Sequence, residues 1–471
     1  MHASTLTKSE AHVSAPLETS AIEDRLPTRL CVGFGIGSLG IAILLNTVTT
    51  FFPALMTTVL GQSAGLAGLL LTVSKLYDAV ADLLIGMVSD RTRSRWGRRR
   101  PYLLAGAVIA GLSFLLIFIP PKLEGAALIA WMGMALVVYS TGYSLFSVPY
   151  VAMAGEMTDG YHERTRLFSF RAFFITFGQI VSSAGTAALI SWAGGGSAGY
   201  AVMGGVTGAI LTATMIACFV GTRGARFVAA QPASHMTKRE AVQALLTNRP
   251  FVLLMTIKIA QFMAIAVINT TKLLFLLNVA KVGYTGLIHL TLVQNVVAAI
   301  TVPVWVRIAR RTGKRNAYIA ATACLAVAYG SWFFTGPGLS LPDIWWRGAL
   351  NGLAASGTTL LSIAMLPDIM EYDRLRTGLR REGIFSGIYT IVEKLGFALG
   401  AAVTGAVLSF SGYIPTTGGK LVAQPATAIS GLYAGASLIP AALILVSMTL
   451  MAFYRLDERG LSSIRATRGV A

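Results

Sequence analysis

Apolar runs long enough to cross a lipid bilayer recur along the whole of this 471-residue chain. Crossing the hydrocarbon takes about 20 apolar residues in helical form, and about twelve segments reach that length. Their limits are 30–56, 64–90, 101–120, 125–155, 166–194, 199–221, 250–278, 284–308, 315–335, 343–368, 384–412 and 428–453. No water is available there to pair with backbone N–H and C=O groups, so only helices and closed barrels are viable. The runs are rich in Leu, Ala and Gly and show no strand-like alternation of barrel type. The expected fold class is an all-α membrane protein of twelve transmembrane helices. Charge supports this: 12% of residues are charged, half the roughly 25% of a soluble domain.

The net charge of +18 would suggest a nucleic-acid partner on a soluble chain. Its placement argues for a membrane instead. Basic residues cluster at Arg91–Arg100, Arg164 and Arg166, Arg223–Arg249, Arg307–Arg315, Arg374–Arg381 and after Tyr454, while the alternate loops hold few beyond Lys122, Lys281 and Lys420. That is the positive-inside pattern. It puts both termini in the cytoplasm and the chain in a plasma membrane, a bacterial inner membrane by expectation, with the lipid bilayer as partner and no nucleic acid. Residues 1–28 lack the basic start, apolar core and cleavage site of a signal peptide and read as a flexible cytoplasmic tail. The polar stretch 223–249 separates an N-terminal six-helix half, 29–222, from a C-terminal one, 250–456, with a second cytoplasmic tail at 457–471. The three cysteines, Cys31, Cys218 and Cys324, leave no closed disulfide set and read as small core residues. The histidines His2, His12, His162, His235 and His289 are too scattered for a metal site.

A weak repeat links the halves. Gly86-Met-Val-Ser-Asp90-Arg91 through Trp96-Gly-Arg-Arg-Arg-Pro-Tyr102 follows the second span, and Arg307-Ile-Ala-Arg-Arg-Thr-Gly-Lys-Arg-Asn-Ala-Tyr318 follows the eighth. Both are basic turns with a Gly before Lys or Arg and a Tyr opening the next span. Duplicated six-span halves around a central site are the build of major facilitator transporters.

Charge inside the spans points to the site. Lys75, Asp78 and Asp82 are spaced by three and then four residues, which sets them on one helical stripe. An Asp or Lys at a helix centre costs roughly 2.5–3.5 kcal/mol on insertion scales, so such residues face a wet cavity or a partner and mark an ion or substrate path. Two carboxylates one turn apart repel if both are ionised, so one holds a proton or a cation sits between them. The expected cation site is Asp78 and Asp82, for H⁺ or Na⁺, with Lys75 as a built-in counter-charge. Arg171 lies in the aromatic stretch Phe168-Ser-Phe-Arg-Ala-Phe-Phe174, a setting suited to sugars but also near enough to a loop for snorkelling. Glu393 and Lys394 are sequence neighbours and point about 100° apart on a helix, so they do not neutralise each other; Lys394 is expected to face Asp78 or Asp82. Lys272 and Arg347 sit near span ends and read as snorkelling residues, and Lys258 has no such outlet. Gln179, Gln261, Asn269, His289, Asn295 and Asn351 are candidates for a polar path or for helix–helix hydrogen bonds.

Several stretches together resemble the glycoside–pentoside–hexuronide:cation symporters, the melibiose permease family of the major facilitator superfamily. They are Asp78-Ala-Val-Ala-Asp82 through Tyr102, Val148-Pro-Tyr through His162-Glu-Arg-Thr-Arg166, Met365-Leu-Pro-Asp-Ile-Met-Glu-Tyr-Asp-Arg through Gly383, and Tyr454-Arg-Leu-Asp-Glu-Arg459. The resemblance implies a major facilitator fold that couples sugar entry to H⁺, Na⁺ or Li⁺. It implies the cation at Asp78 and Asp82, substrate at Arg171, Lys394 and Tyr143, coupling through Lys75, Lys394 and Glu393, and a cytoplasmic gate of Asp90, Arg91, Arg98, Arg99, Asp368, Glu371 and Asp373. The chain departs from melibiose permeases in having no acid in Gly35–Ala42 or in Tyr139–Phe146, and Ala81 where they carry an asparagine that helps Na⁺; the missing oxygen ligand favours H⁺ here. An excess of cations in the cavity also admits an anionic hexuronide.

The expectation is a monomeric secondary active transporter, not an enzyme, that needs no cofactor beyond its coupling cation and moves a small sugar, glycoside or hexuronide by alternating access. A lysolipid or other amphiphile carrier on the same fold is the alternative. No phosphate loop or nucleophile–base spacing supports an enzyme.

Overall fold

The computed structural model describes residues 26–158, 161–225, 247–377, 382–454 and 456. The tails expected at 1–28 and 457–471 and the central loop fall mostly outside them. Leu26, at the edge, is pinned: its N–H donates to Glu163 and its carbonyl accepts from Arg166.

Long helices run antiparallel through the described chain. The first half holds α1 (Thr28–Ala54, ended by a wide turn Leu55–Val59), α2 (Ala64–Arg91), α3 (Arg100–Phe118), α4 (Gly125–Met157), α5 (Tyr161–Ile180, continuing past a wide turn at Val181–Gly185 to Trp192) and α6 (Gly196–Gly221). The second holds α7 (Arg249–Asn278), α8 (Gly283–Thr312), α9 (Lys314–Gly330), α10 (Leu341–Thr377), α11 (Glu382–Phe410) and α12 (Ala426–Tyr433, continuing past a wide turn to Ala452). Eleven of these are long and apolar enough to cross a membrane by length and composition. The remaining one, α2, carries Lys75, Asp78, Asp82, Asp90 and Arg91. The expected span limits hold within a few residues except in α10, which runs on to Thr377 because its polar Pro367–Thr377 end continues the helix beyond the apolar part.

The halves repeat each other. In the first, α1 packs on α5 and α6, α3 on α4 and α6, and α2 on α4; in the second, α7 packs on α11 and α12, α9 on α10 and α12, and α8 on α10. The two basic turns share a backbone feature as well as composition: Gly97 and Gly313 both take φ in the left-handed region, +91° and +83°, which only glycine adopts without strain.

The halves meet chiefly through α2 against α11 and α5 against α8, with α1 against α7 beside them. Small residues set the first approach: a Cβ on Gly68 would stand 2.7 Å from the Ala401 carbonyl and 2.8 Å from the Gly405 Cα. Without tail–tail hydrophobic advantage in lipid, such close backbone packing is what holds helices together. Beyond it, at the end remote from the basic loops, the turn after α1 and the loop after α11 are clasped. Thr416 N–H donates to Thr57 O at 2.7 Å, Gly418 N–H to Val59 O at 2.9 Å and Gly419 N–H to Thr58 O at 2.8 Å. Tyr284 of α8 bonds Tyr200 of α6 across the same end at 3.3 Å. At the basic end, the ion pairs of Arg98, Arg99, Arg166 and Lys314 stay within one half. The halves are thus tied to each other at the far end.

Replacing Gly405 by Val should wedge α2 from α11 and weaken this tie. In a chain with Cys324→Ala and Thr57→Cys, the added thiol should react at least about fivefold faster with a polar maleimide, the factor that about 1 kcal/mol carries in a two-state equilibrium.

Candidate functional site

The charged stripe of α2 does not face lipid. Asp78 is 1% exposed and Lys75 6%, and both turn toward α4 and α11. Ser74 and Ser140 hydroxyls pair at 2.9 Å, fixing α2 against α4, and one turn on Ser144 donates to Asp78 Oδ1 at 3.0 Å. Lys75 Nζ stands 3.6 Å from Asp78 Oδ2 and 5.3 and 5.5 Å from the ring centres of Tyr139 and Tyr143. Those π faces supply a cation with partial compensation where water is scarce.

Lys394 of α11 completes the cluster from the other half. Its ammonium lies 2.5 Å from Asp82 Oδ2 and 3.4 Å from Asp78 Oδ2, and donates to the Asp78 carbonyl at 3.0 Å. Tyr143 lies under it as well, with 5.7 Å to the ring centre. Two lysines and two aspartates therefore form a closed set, neutral when all are ionised, in which one lysine reaches both acids. Asp82 Oδ1 is buried and accepts no hydrogen bond. A carboxylate oxygen left unpaired in the interior is costly unless something fills it; a proton or a small cation would.

The other expected site residues lie around this set. Arg171 is partly buried on α5, its guanidinium 5.8 Å from the Phe168 ring and its Nε buried without a partner. Its backbone carbonyl takes the Ser38 hydroxyl of α1. Glu393, one position before Lys394, is half-buried and makes no ion pair or hydrogen bond among the described residues; Lys258, Lys394, Arg171 and Lys75 act on it electrostatically. Lys258 of α7 is 2% exposed and does not snorkel. Arg347, read as snorkelling, is 6% exposed; its head stays inside the protein, donating to the Asp343 carbonyl at 3.1 Å and stacked by Trp332 and Trp346.

Of the residues expected to gate the passage, Asp90, Arg98, Arg99 and Asp368 form ion pairs within their own half. Arg99 pairs with Asp90 at 2.5 Å and Glu156 at 3.0 Å and donates to Ser89 at 2.7 Å; Arg98 pairs with Glu156 at 2.5 Å. Asp368 pairs with Lys314 at 2.6 Å. Arg91 is exposed, Asp373 is buried at 4%, and Glu371 lies on the same polar end of α10. Sequence reasoning missed Glu156, the hub of the first set. Its signal was available: an acid at the end of α4, the helix that packs on α3, which opens just after Arg98 and Arg99. Ser144 was also missed, since a serine in a transmembrane helix has no mark of its own.

With this geometry in view, the comparisons with known proteins are consistent with one another. The sequence pattern of the family described as MFS/sugar transport protein matches residues 33–458. The uncharacterized symporter YnaJ of Bacillus subtilis is 28% identical over 439 residues, covering 91% of this chain and 92% of that protein. The glucuronide carrier protein homolog of Escherichia coli is 26% identical over 465 residues, covering 94% and 96%. Among solved structures, a bacterial homolog of the human lysosomal transporter Spinster, in an inward-facing and unoccupied conformation, superposes with a TM-score of 0.66 at 16% identity, over 93% of this chain and 98% of that one; it shares the fold.

Glu156→Gln should leave Arg98 and Arg99 short of a buried counter-charge. Breaking one partner of such a set costs about 3–5 kcal/mol, so the purified variant should unfold at a clearly lower temperature in detergent, and Glu156→Asp should recover part of the loss.

Proposed function

Because the chain belongs to the MFS/sugar transport protein family, a family of multi-pass membrane transporters, we propose that it is a cation-coupled symporter of a sugar-type substrate, with H⁺ as the coupling ion and Na⁺ as the alternative. The observation that carries this is Lys394 of one half bridging Asp78 and Asp82 of the other. A bridge of that kind makes the state of the acids a property of how the halves sit together.

In the cycle, a proton arrives at the Asp78–Asp82 pair, and the vacant Asp82 Oδ1 is the oxygen that supports this. Neutralising one acid leaves the set with a surplus positive charge. Lys394 is then released toward the substrate, which binds between the halves near Arg171 and Tyr143, while Lys75 stays as the counter-charge of Asp78. For an anionic hexuronide, the proton alone leaves one surplus positive charge and the substrate alone one surplus negative charge in a low-dielectric interior, and the cost of carrying either through the closed intermediate suppresses uncoupled turnover; for a neutral glycoside, its hydroxyls have to solvate the freed Lys394 in the loaded state. The empty and doubly loaded carriers are free to rock.

The basic loops place their end in the cytoplasm by the positive-inside rule, so the bundle is in its inward-open form. In the outward-open form, Asp90, Arg91, Arg98, Arg99, Asp368, Glu371 and Asp373 approach across the halves and close the cytoplasmic side. The cargo is a glycoside or hexuronide, and the protein works in the inner membrane.

Asp82→Asn should abolish accumulation of a labelled glycoside against its gradient in proteoliposomes, bringing it to the level of empty vesicles. Substrate counterflow, which needs no net cation movement, should persist. Concentrative uptake surviving in that variant would sink the assignment. In the unchanged protein, uptake should follow an imposed inward proton gradient in Na⁺-free buffer.

A further inference from the structure

Three acids lie inside the central part of the bundle, and two of them, Asp78 and Asp82, are held by Lys394. The third, Glu393, is half-buried and holds nothing among the described residues. It is not remote from charge. Lys258 foremost, then Lys394, Arg171 and Lys75, act on it electrostatically, which places it where α7, α11, α5 and α2 converge, between the halves. Of the phenols around it, Tyr143 of α4 and Tyr389 of its own helix lie within reach of its charge.

Its surroundings are built. Tyr389 and Phe397 lie four residues to either side of it on α11, hence on one face, and both are only partly buried. Phe262 of α7 packs against both rings, with centroids 5.9 Å from each. Behind them, Lys258 Nζ donates to Gln261 Oε1 at 2.8 Å and Ser362 Oγ at 3.0 Å and sits 4.2 Å from the centre of the Phe262 ring. Gln261 is itself held by Tyr318 at 3.3 Å. A fixed cation at this depth, with no carboxylate in contact, has one evident counterpart in Glu393.

We propose that Glu393 is a substrate-binding carboxylate of the C-terminal half: it accepts hydrogen bonds from vicinal hydroxyls of a sugar whose apolar face lies on the Tyr389 and Phe397 rings, and Lys258 is the positioning residue behind it. This rests on the sugar-type reading given above. Few, well-placed polar groups among aromatic walls are how small-molecule sites obtain orientation, and an acid accepts two hydroxyls of one ring where an amide accepts only through its single oxygen. The coupling pair needs no further acid, since Lys394 already answers both aspartates.

The test is equilibrium titration of the purified protein with methyl glycosides of glucose, galactose and xylose and with methyl glucuronide, together with counterflow and proton-driven uptake in liposomes. For the sugar that binds, Glu393→Gln should weaken affinity at least about tenfold, as loss of bonds to a charged acceptor requires, and should lower counterflow and uptake alike at sub-saturating sugar. Glu393→Asp should retain part of the affinity, and Lys258→Gln should raise the KM of counterflow more than it lowers the maximal rate, with unfolding temperatures showing that all variants are folded. Affinity in Glu393→Gln within twofold of the unchanged protein, or loss of proton-driven uptake alone, would overturn the proposal and return Glu393 to the coupling cluster. If the unchanged protein binds none of the four sugars, the sugar-type reading itself fails and this inference with it.

Discussion

Charge buried in a lipid-facing bundle has to be answered by charge from another helix, and here the answer comes from the opposite half. Lys394 contacts both aspartates of α2 at once. Removing either side would strand ions whose desolvation is repaid only by the partner. The interface between the halves therefore depends on the state of an ionic cluster, which is the property a coupled carrier needs: binding at the cluster and the relative placement of the halves are one equilibrium.

The rest of the architecture serves that interface. Glycines at 68 and 405 let α2 and α11 approach closely enough for a lysine on one to reach two acids on the other. Serines of α4 hold α2 in rotation, so its stripe points inward. The far-end clasp is made of backbone groups and glycines rather than of long side chains, an arrangement that can part without leaving buried charge behind. At the basic end Arg98 and Arg99 brace the first half through Asp90 and Glu156, and Lys314 pairs with Asp368 in the second.

The legible part of the site was the part with a large energetic signature. Asp78, Asp82 and Lys75 stand out because charge in an apolar run is expensive, and the i, i+3, i+7 spacing alone puts them on one face. The adjacency of Glu393 and Lys394 already implied that they diverge. What they diverge toward was not legible: one joins the aspartates, and the other stands among cations and aromatic rings. Lys258 shows the same limit. Its cost was plain from sequence and Gln261 stood out as a polar candidate, but nothing local tells that Lys258 takes Gln261 of its own turn and Ser362 of α10 as partners. Arg347 was misread because closeness to a helix end does not tell whether a side chain finds water or a protein partner first.

By itself the sequence determined the number and approximate length of the helices, the pairing of the two basic turns and which residues are too costly to be accidental. Each follows from local chemistry, since length, hydropathy and charge act within a single span. Only the tertiary structure decided which half each buried charge faces, that Arg98, Arg99 and Asp368 pair within their own half, and that, among the described residues, one of three central acids has no cation in contact. Those outcomes depend on helix rotation and on contacts between residues more than 300 positions apart, such as Lys394 with Asp78 and Asp82, and no local pattern encodes them.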